Sequence, residues 1–142
     1  MTLEEEVQPK CSVGGRRHVV VFADDEPGIL LALERALRSE PFDLQMTTDP
    51  AKALEWIKSR GVSVVISDYR MPKMCGMTLL EETRAVSPRT ARILLTAYPW
   101  ETEVLRARET GLITLFGKPW DEKELKRVIR DRVREREILD GV

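Results

Sequence analysis

Five times along this chain a short apolar run is followed by a segment with apolar residues at helical spacing, and that alternation restricts the fold more than any other feature. The first run, V-V-V-F-A, has no polar face, so it predicts a strand covered on both sides. It occupies about 18–23, and a helix follows over about 27–39. Pro27 suits that helix's first turn, and Ile29, Leu30, Leu33, Ala36 and Leu37 form its apolar face. A strand over about 43–47 leads to Asp49, which caps a helix starting at Pro50 and stopping before Gly61. Ala53, Leu54, Trp56 and Ile57 make its buried stripe. A third strand covers about 62–67, apolar from 62 to 66 except for Ser63, and the Pro and Gly of D-Y-R-M-P-K-M-C-G make 68–76 a loop. A helix over about 77–86, a strand over 91–96, a helix from Pro99 to near Gly111, a strand over 112–116 and a charged helix from Asp121 complete the pattern. Five such units predict the α/β class, a single doubly wound parallel sheet of (βα)5 type with helices on both faces.

Residues 1–17 lack periodicity and read as a flexible N-terminal leader before a domain over 18–138 and a short tail over 139–142. Lys and Arg number 23 against 24 Asp and Glu, so the strongly basic footprint of a nucleic-acid binder is missing. No apolar stretch is long enough to span a bilayer. The acidic start M-T-L-E-E-E lacks the apolar core of a signal peptide. The two cysteines, Cys11 and Cys75, are far apart and not paired at metal spacing, which fits a reducing cytoplasm.

Chemistry gathers where the strands end. The first strand ends in Asp24 and Asp25, the third in Asp68 and the fourth in Thr96, while the fifth runs into Lys118. Right-handed crossovers restrict the possible topologies, and the flavodoxin-like strand order 2-1-3-4-5 would make strands one and three neighbours. Ligands of open parallel sheets bind beyond the carboxyl ends of the strands at such a switch point. Two carboxylates about 4 Å apart repel by about 4 kcal/mol at an effective dielectric near 20, so three acids gathered there call for a cation. Mg²⁺ suits oxygen ligands, retained waters and a phosphate. A metal, an ammonium and a hydroxyl can together surround a transferring phosphoryl group, and a carboxylate can itself attack phosphorus.

The segments V-F-A-D-D-E-P, S-D-Y-R-M-P-K-M-C-G, L-L-T-A-Y and F-G-K-P-W, in this order at β–α spacing, resemble a receiver domain of a two-component response regulator. The resemblance implies that Asp68 is the phosphoacceptor. It implies that Asp25 ligates Mg²⁺ directly, that Asp24 acts mainly through the metal's waters, and that the backbone carbonyl of Arg70 is a further ligand. Thr96 and Lys118 would each meet a phosphoryl oxygen, and Lys118–Pro119 would be a cis peptide bond. The donor would be a phosphohistidine on a sensor histidine kinase or phosphotransfer protein. Such a domain is a signalling phosphoacceptor that catalyses its own phosphotransfer and dephosphorylation rather than an enzyme acting on a separate substrate. Its output passes to an effector protein or domain, with no direct nucleic-acid or membrane contact. A homodimer can form through the face made by the fourth helix, fifth strand and fifth helix. F-G-K-P-W-D also resembles receivers joined to phosphodiesterase or transcription-activator domains, so the chain reads as a stand-alone receiver or one cut from a longer regulator. Two positions depart from the pattern. Leu115 stands where many receivers carry an aromatic three residues before the lysine, with Phe116 one residue late. Cys75 precedes Gly76 where an acid is common. Arg70 and Tyr98 occupy positions that tune phosphoryl lifetime in this family.

Plainer roles exist for each residue taken singly. The acids at 24–26 suit a helix N-terminus, Thr96 a helix cap, and Lys118-Pro119 a surface turn. His18 has no evident partner and reads as structural. Trp56 reads as packing, while Trp100 and Trp120 stand at helix starts near the site. In the last helix Leu125, Val128, Ile129 and Val133 form a stripe, and 130–137 extends beyond what a core requires. Two other functions use the same residues. A haloacid-dehalogenase-type phosphatase shares the ingredients, but its nucleophile follows the first strand in a D-x-D pattern, whereas here the acids at 24 and 25 are adjacent. A degenerate receiver would bind partners without being phosphorylated, against which all five site residues are present.

Overall fold

The computed structural model describes residues 18–111 and 113–141. The strands are β1 (Val19–Ala23), β2 (Asp43–Thr47), β3 (Val62–Asp68), β4 (Ala91–Thr96) and β5 (Thr114–Gly117). The helices are α1 (Pro27–Leu37), α2 (Pro50–Ser59), α3 (Gly76–Val86), α4 (Thr102–Glu109) and α5 (Glu122–Leu139). All neighbouring strands are parallel and lie in the order β2-β1-β3-β4-β5. This is the doubly wound sheet that the alternation predicts.

Side chains alternate across the sheet with a period of two and build two cores. Val20, Phe22, Val64, Ile66, Ile93 and Leu95 face α1 and α5, where they meet Leu30, Leu33, Leu125 and Ile129. Val21, Ala23, Val65 and Leu94 face the other way, onto Ala53, Trp56, Leu79, Leu80 and Val104 of α2, α3 and α4. β3 is buried at every position, as the middle strand of a two-sided sheet must be. Local signals fix the helix starts. Asp49 Oδ1 accepts from Ala51 N–H at 3.0 Å, with Pro50 in the first turn. Asp121 accepts from Glu124 N–H at 3.0 Å.

Several expectations are corrected. α1 stops at Leu37, and β1 starts at Val19. α4 begins at Thr102 rather than Pro99, because Glu101 N–H closes a turn onto the Tyr98 carbonyl at 3.2 Å. β5 begins at Thr114, paired with Ile93. The leader over 1–17, Cys11, Leu112 and Val142 lie outside the described residues. Trp120 packs against the α1/α5 core and Trp56 against the other, whereas Trp100 is 68% exposed.

His18 does have partners. Its Nδ1 lies 2.6 Å from the buried Ser63 hydroxyl and its Nε2 3.3 Å from Glu137 Oε1. That pairing accounts for the polar residue near the start of β3. Nor does α5 overrun the core at Arg130. Arg130 grips the buried Glu40 with two bonds of 2.7 and 2.6 Å, and Val133 packs on the core. Arg136 Nη1 donates to the Val62 carbonyl at 2.8 Å. These pairings hold α5 to the amino-terminal end of the sheet as far as Glu137. No described helix is long and apolar enough to cross a membrane.

Candidate functional site

Parallel strands deliver their last residues to one edge. Asp24 follows β1, Asp68 ends β3, Thr96 ends β4, and Lys118 follows β5. Backbone bonds fix each of them. Asp24 N–H donates to Thr47 of β2 at 3.2 Å, Tyr69 N–H to Leu95 at 3.0 Å, and Lys118 N–H to Thr96 at 2.8 Å. The Lys118–Pro119 bond is cis, as the resemblance implies.

Lys118 Nζ sits between two carboxylates, 2.9 Å from Asp24 Oδ2 and 3.0 Å from Asp68 Oδ1. The other oxygen of Asp24 accepts from Glu26 N–H at 2.9 Å. Asp24, Asp25 and Asp68 each offer an oxygen within 4.8 Å of the others. Burial pushes the Asp68 carboxyl up to about 6, the Lys118 hydrogen bond works against that rise, and the charges of Asp24 and Asp25 add to it. Burial alone would lower the Lys118 ammonium, but its bonds to Asp24 and Asp68 hold it above its ordinary value. Three carboxylates against one ammonium leave an excess of negative charge in a partly dry site. An all-oxygen donor set with that excess fits a hard divalent cation.

The Thr96 hydroxyl is buried and accepts from Tyr98 N–H at 2.9 Å. A cavity of about 230 Å³ opens over these groups, walled by Asp25, Asp68, Arg70, Thr96, Tyr98 and Lys118. A larger open hollow of about 470 Å³ adjoins it and shares Asp25 and Arg70, but it includes neither Asp68 nor Lys118. The smaller cavity is therefore the one in which an anion can meet the acidic groups, the ammonium and the hydroxyl together. The sequence-predicted residues Asp24, Asp25, Asp68, Thr96 and Lys118 all converge on this edge, with Arg70 in the cavity wall.

Other residues shape the site without standing out in the sequence. Gly76, read only as a loop marker, opens α3 directly against the Asp68 backbone. A Cβ there would lie 2.0 Å from the Asp68 carbonyl oxygen, so no side chain fits. The same oxygen accepts from the Ser67 hydroxyl at 2.9 Å, and Gly76 N–H donates to the Tyr69 carbonyl at 2.7 Å. Beyond Asp68, the Tyr69 hydroxyl donates to Glu103 at 2.8 Å, and Arg70 is ion-paired with Glu101. No local pattern announces these pairs, because their members are 34 and 31 residues apart. Glycine directly before an apolar helix stripe is the one signal that marks Gly76.

Residues 20–130 match the family model of the response regulator receiver domain. The chain is 33% identical over 112 residues to the transcriptional regulatory protein GlrR of Escherichia coli K12, covering 79% of this chain and 25% of that protein. It is 31% identical over 109 residues to the DNA-binding transcriptional regulator NtrC of the same organism, covering 77% and 23%. It thus spans about a quarter of the length of these relatives. Among solved structures it is similar to the signal receiver domain of an HD domain-containing protein from Pseudomonas fluorescens Pf-5, with a TM-score of 0.78 and 34% identity over 85% of this chain and 98% of that one. With the strand order and the acidic edge already in place, the match over 20–130 is decisive: the chain belongs to the response regulator receiver domain family.

Proposed function

We propose that this receiver takes a phosphoryl group onto Asp68 from a phosphohistidine of a sensor kinase or phosphotransfer protein, in a Mg²⁺-dependent reaction. One Asp68 carboxylate oxygen attacks phosphorus as the phosphorus–nitrogen bond breaks. The bonding pair leaves with the imidazole, which then takes up a proton. The observation that carries this reading is the cavity in which Asp68, Lys118 and Thr96 meet beside Asp24 and Asp25.

Each residue has a physical task. Lys118 neutralises part of the acidic edge and then pairs with a phosphoryl oxygen, exchanging one anion for another. The Thr96 hydroxyl donates to a second oxygen. Asp24, Asp25, Asp68 and the Arg70 backbone carbonyl would hold Mg²⁺, which would offset the negative charge that gathers on the phosphoryl oxygens. The same groups allow water to remove the phosphoryl group later, which returns the switch to its starting state.

Phosphorylation draws Thr96 and Lys118 towards the new oxygens and shifts the face formed by α4, β5 and α5 between two populations. A downstream effector, or a second copy of the chain, reads that face in a cytoplasmic setting. The receiver unit extends over 18–138, either alone or as part of a longer regulator. The family match favours this reading over the phosphatase alternative.

Incubation with acetyl phosphate and Mg²⁺ tests it. One hydroxylamine-labile phosphoryl group per chain, mapped to Asp68 and absent from Asp68→Asn or after chelation, is the expected result. Labelling elsewhere, or catalytic release of phosphate from phosphomonoesters, would refute it.

A further inference from the structure

The two residues after Asp68 reach across to the start of α4. Tyr69 is 6% exposed and bonds Glu103, and Arg70 pairs with Glu101, the residue preceding α4. The Arg70 guanidinium also lies over the Tyr98 ring at 4.9 Å and the Tyr69 ring at 5.6 Å. Tyr98 in turn meets the exposed Trp100 edge to face, with ring centroids 5.9 Å apart. The phosphoacceptor loop is thereby tied to the segment that carries Trp100 and leads into α4.

Arg70 and Tyr98 belong to the wall of the cavity that holds Asp68. A guanidinium there faces one carboxylate partner now and would face a doubly charged phosphoryl group once Asp68 is modified. Guanidinium forks bind both kinds of oxyanion, and phosphate offers more charge and more acceptor oxygens. The Arg70 side chain is 62% exposed, so its present ion pair is of the weak, exchangeable kind.

We propose that Glu101 and a phosphoryl group on Asp68 compete for Arg70, so that phosphorylation unties the start of α4 and Trp100 from the phosphoacceptor loop. This rests on the phosphoacceptor reading above. Arg70 is here a positioning residue whose partner reports the state of Asp68. Competition implies reciprocity: removing the Glu101 charge must favour the phosphorylated state by the same factor with which phosphorylation loosens the pair.

The test uses the full chain with Mg²⁺ and beryllofluoride, a stable stand-in for the phosphoryl group, beside Glu101→Gln, Arg70→Ala and the double variant. Glu101→Gln should bind beryllofluoride about fivefold more tightly or better. The same change in the Arg70→Ala background should leave affinity unchanged, because the competition has no prize there. Amide exchange over 102–109 should be faster in Glu101→Gln alone, and in the parent it should quicken only on adding beryllofluoride. Unchanged affinity in Glu101→Gln, or a gain that persists without Arg70, overturns the competition while leaving the phosphoacceptor reading intact. A parent that takes up neither beryllofluoride nor phosphoryl from acetyl phosphate overturns both.

Discussion

Asp68→Asn should make the metal-free protein more stable, and by an amount that depends on pH. Folding raises the Asp68 carboxyl from 3.8 to about 6, chiefly by burial. That rise corresponds to at most about 3 kcal/mol of preference for the neutral form, and solvent screening at this partly exposed group reduces it. The folded state therefore holds this proton more tightly than the unfolded chain does. Below about pH 4 both states are protonated and Asp68 imposes no penalty. Between about pH 4 and 6 the penalty builds as pH rises, and above that window it is complete. An amide copies the shape of the neutral acid, and Lys118 keeps its 2.9 Å bond to Asp24. Urea unfolding followed by circular dichroism, in chelator from pH 4 to pH 8, should show Asp68→Asn ahead by up to about 3 kcal/mol at the alkaline end. The gap should close towards the acid end. Other carboxylates titrate in both proteins and cancel in the difference. Added Mg²⁺ should stabilise the parent more than the variant and so narrow the gap. A gap independent of pH, or a variant less stable than the parent at pH 8, would refute the claim that burial of this carboxylate works against the fold.

The other predictions concern Gly76, His18 and Lys118. Gly76→Ala puts a Cβ 2.0 Å from the Asp68 carbonyl oxygen. It should cost about 1–3 kcal/mol in thermal unfolding and slow labelling by acetyl phosphate; wild-type values for both would show that α3 need not approach so closely. His18→Ala strips the buried Ser63 hydroxyl of its partner, at a cost of about 1–3 kcal/mol. Ser63→Ala added to it should recover part of that loss, so the double variant should fall well short of the summed single effects in urea unfolding. Lys118→Met removes the ammonium 3.0 Å from Asp68. Carboxyl carbon NMR should then show Asp68 titrating above its parent value of about 6; an unchanged or lower midpoint would contradict the electrostatic account of the site.

The sheet was legible in the sequence because its information is local. Val20 and Phe22 point one way and Val21 and Ala23 the other, and no residue far away is needed to see that both faces are apolar. The site was legible for a related reason: topology carries residues at the ends of parallel strands to a common edge, so Asp24, Asp68, Thr96 and Lys118 met once the strand order held. What stayed hidden was decided between distant segments. His18 and Ser63 are 45 residues apart, and Arg130 and Glu40 are 90 apart. Neither spacing leaves a trace in a window of one helix or strand. The start of α4 is hidden because Pro99 is a fair first-turn residue, and the competing turn closed by Glu101 N–H has no strong marker of its own. The role of Gly76 was hidden because it depends on how closely α3 approaches Asp68, a tertiary distance.

The two ends of the sheet differ in how their polar groups are paired. At the amino-terminal end, polar groups are matched: Ser63 with His18, the Thr90 hydroxyl with the Val62 carbonyl at 2.7 Å, Arg136 with that same carbonyl, and Arg130 with Glu40. Buried groups satisfied in this way gain little from rearranging, since any movement leaves a donor or acceptor unpaired. At the carboxyl-terminal end the balance is reversed. Three acids crowd one ammonium, and an exposed ion pair ties Arg70 to Glu101. On the proposed function a cation would relieve the excess negative charge there and a phosphoryl group would reset the pairing, so a change of ligand would shift the free energy of that end alone. A sheet pinned at its far end by those matched pairs would confine such a change. It leaves the β4–α4 segment, with Tyr98 and Trp100 at its surface, as the part of the fold best placed to move.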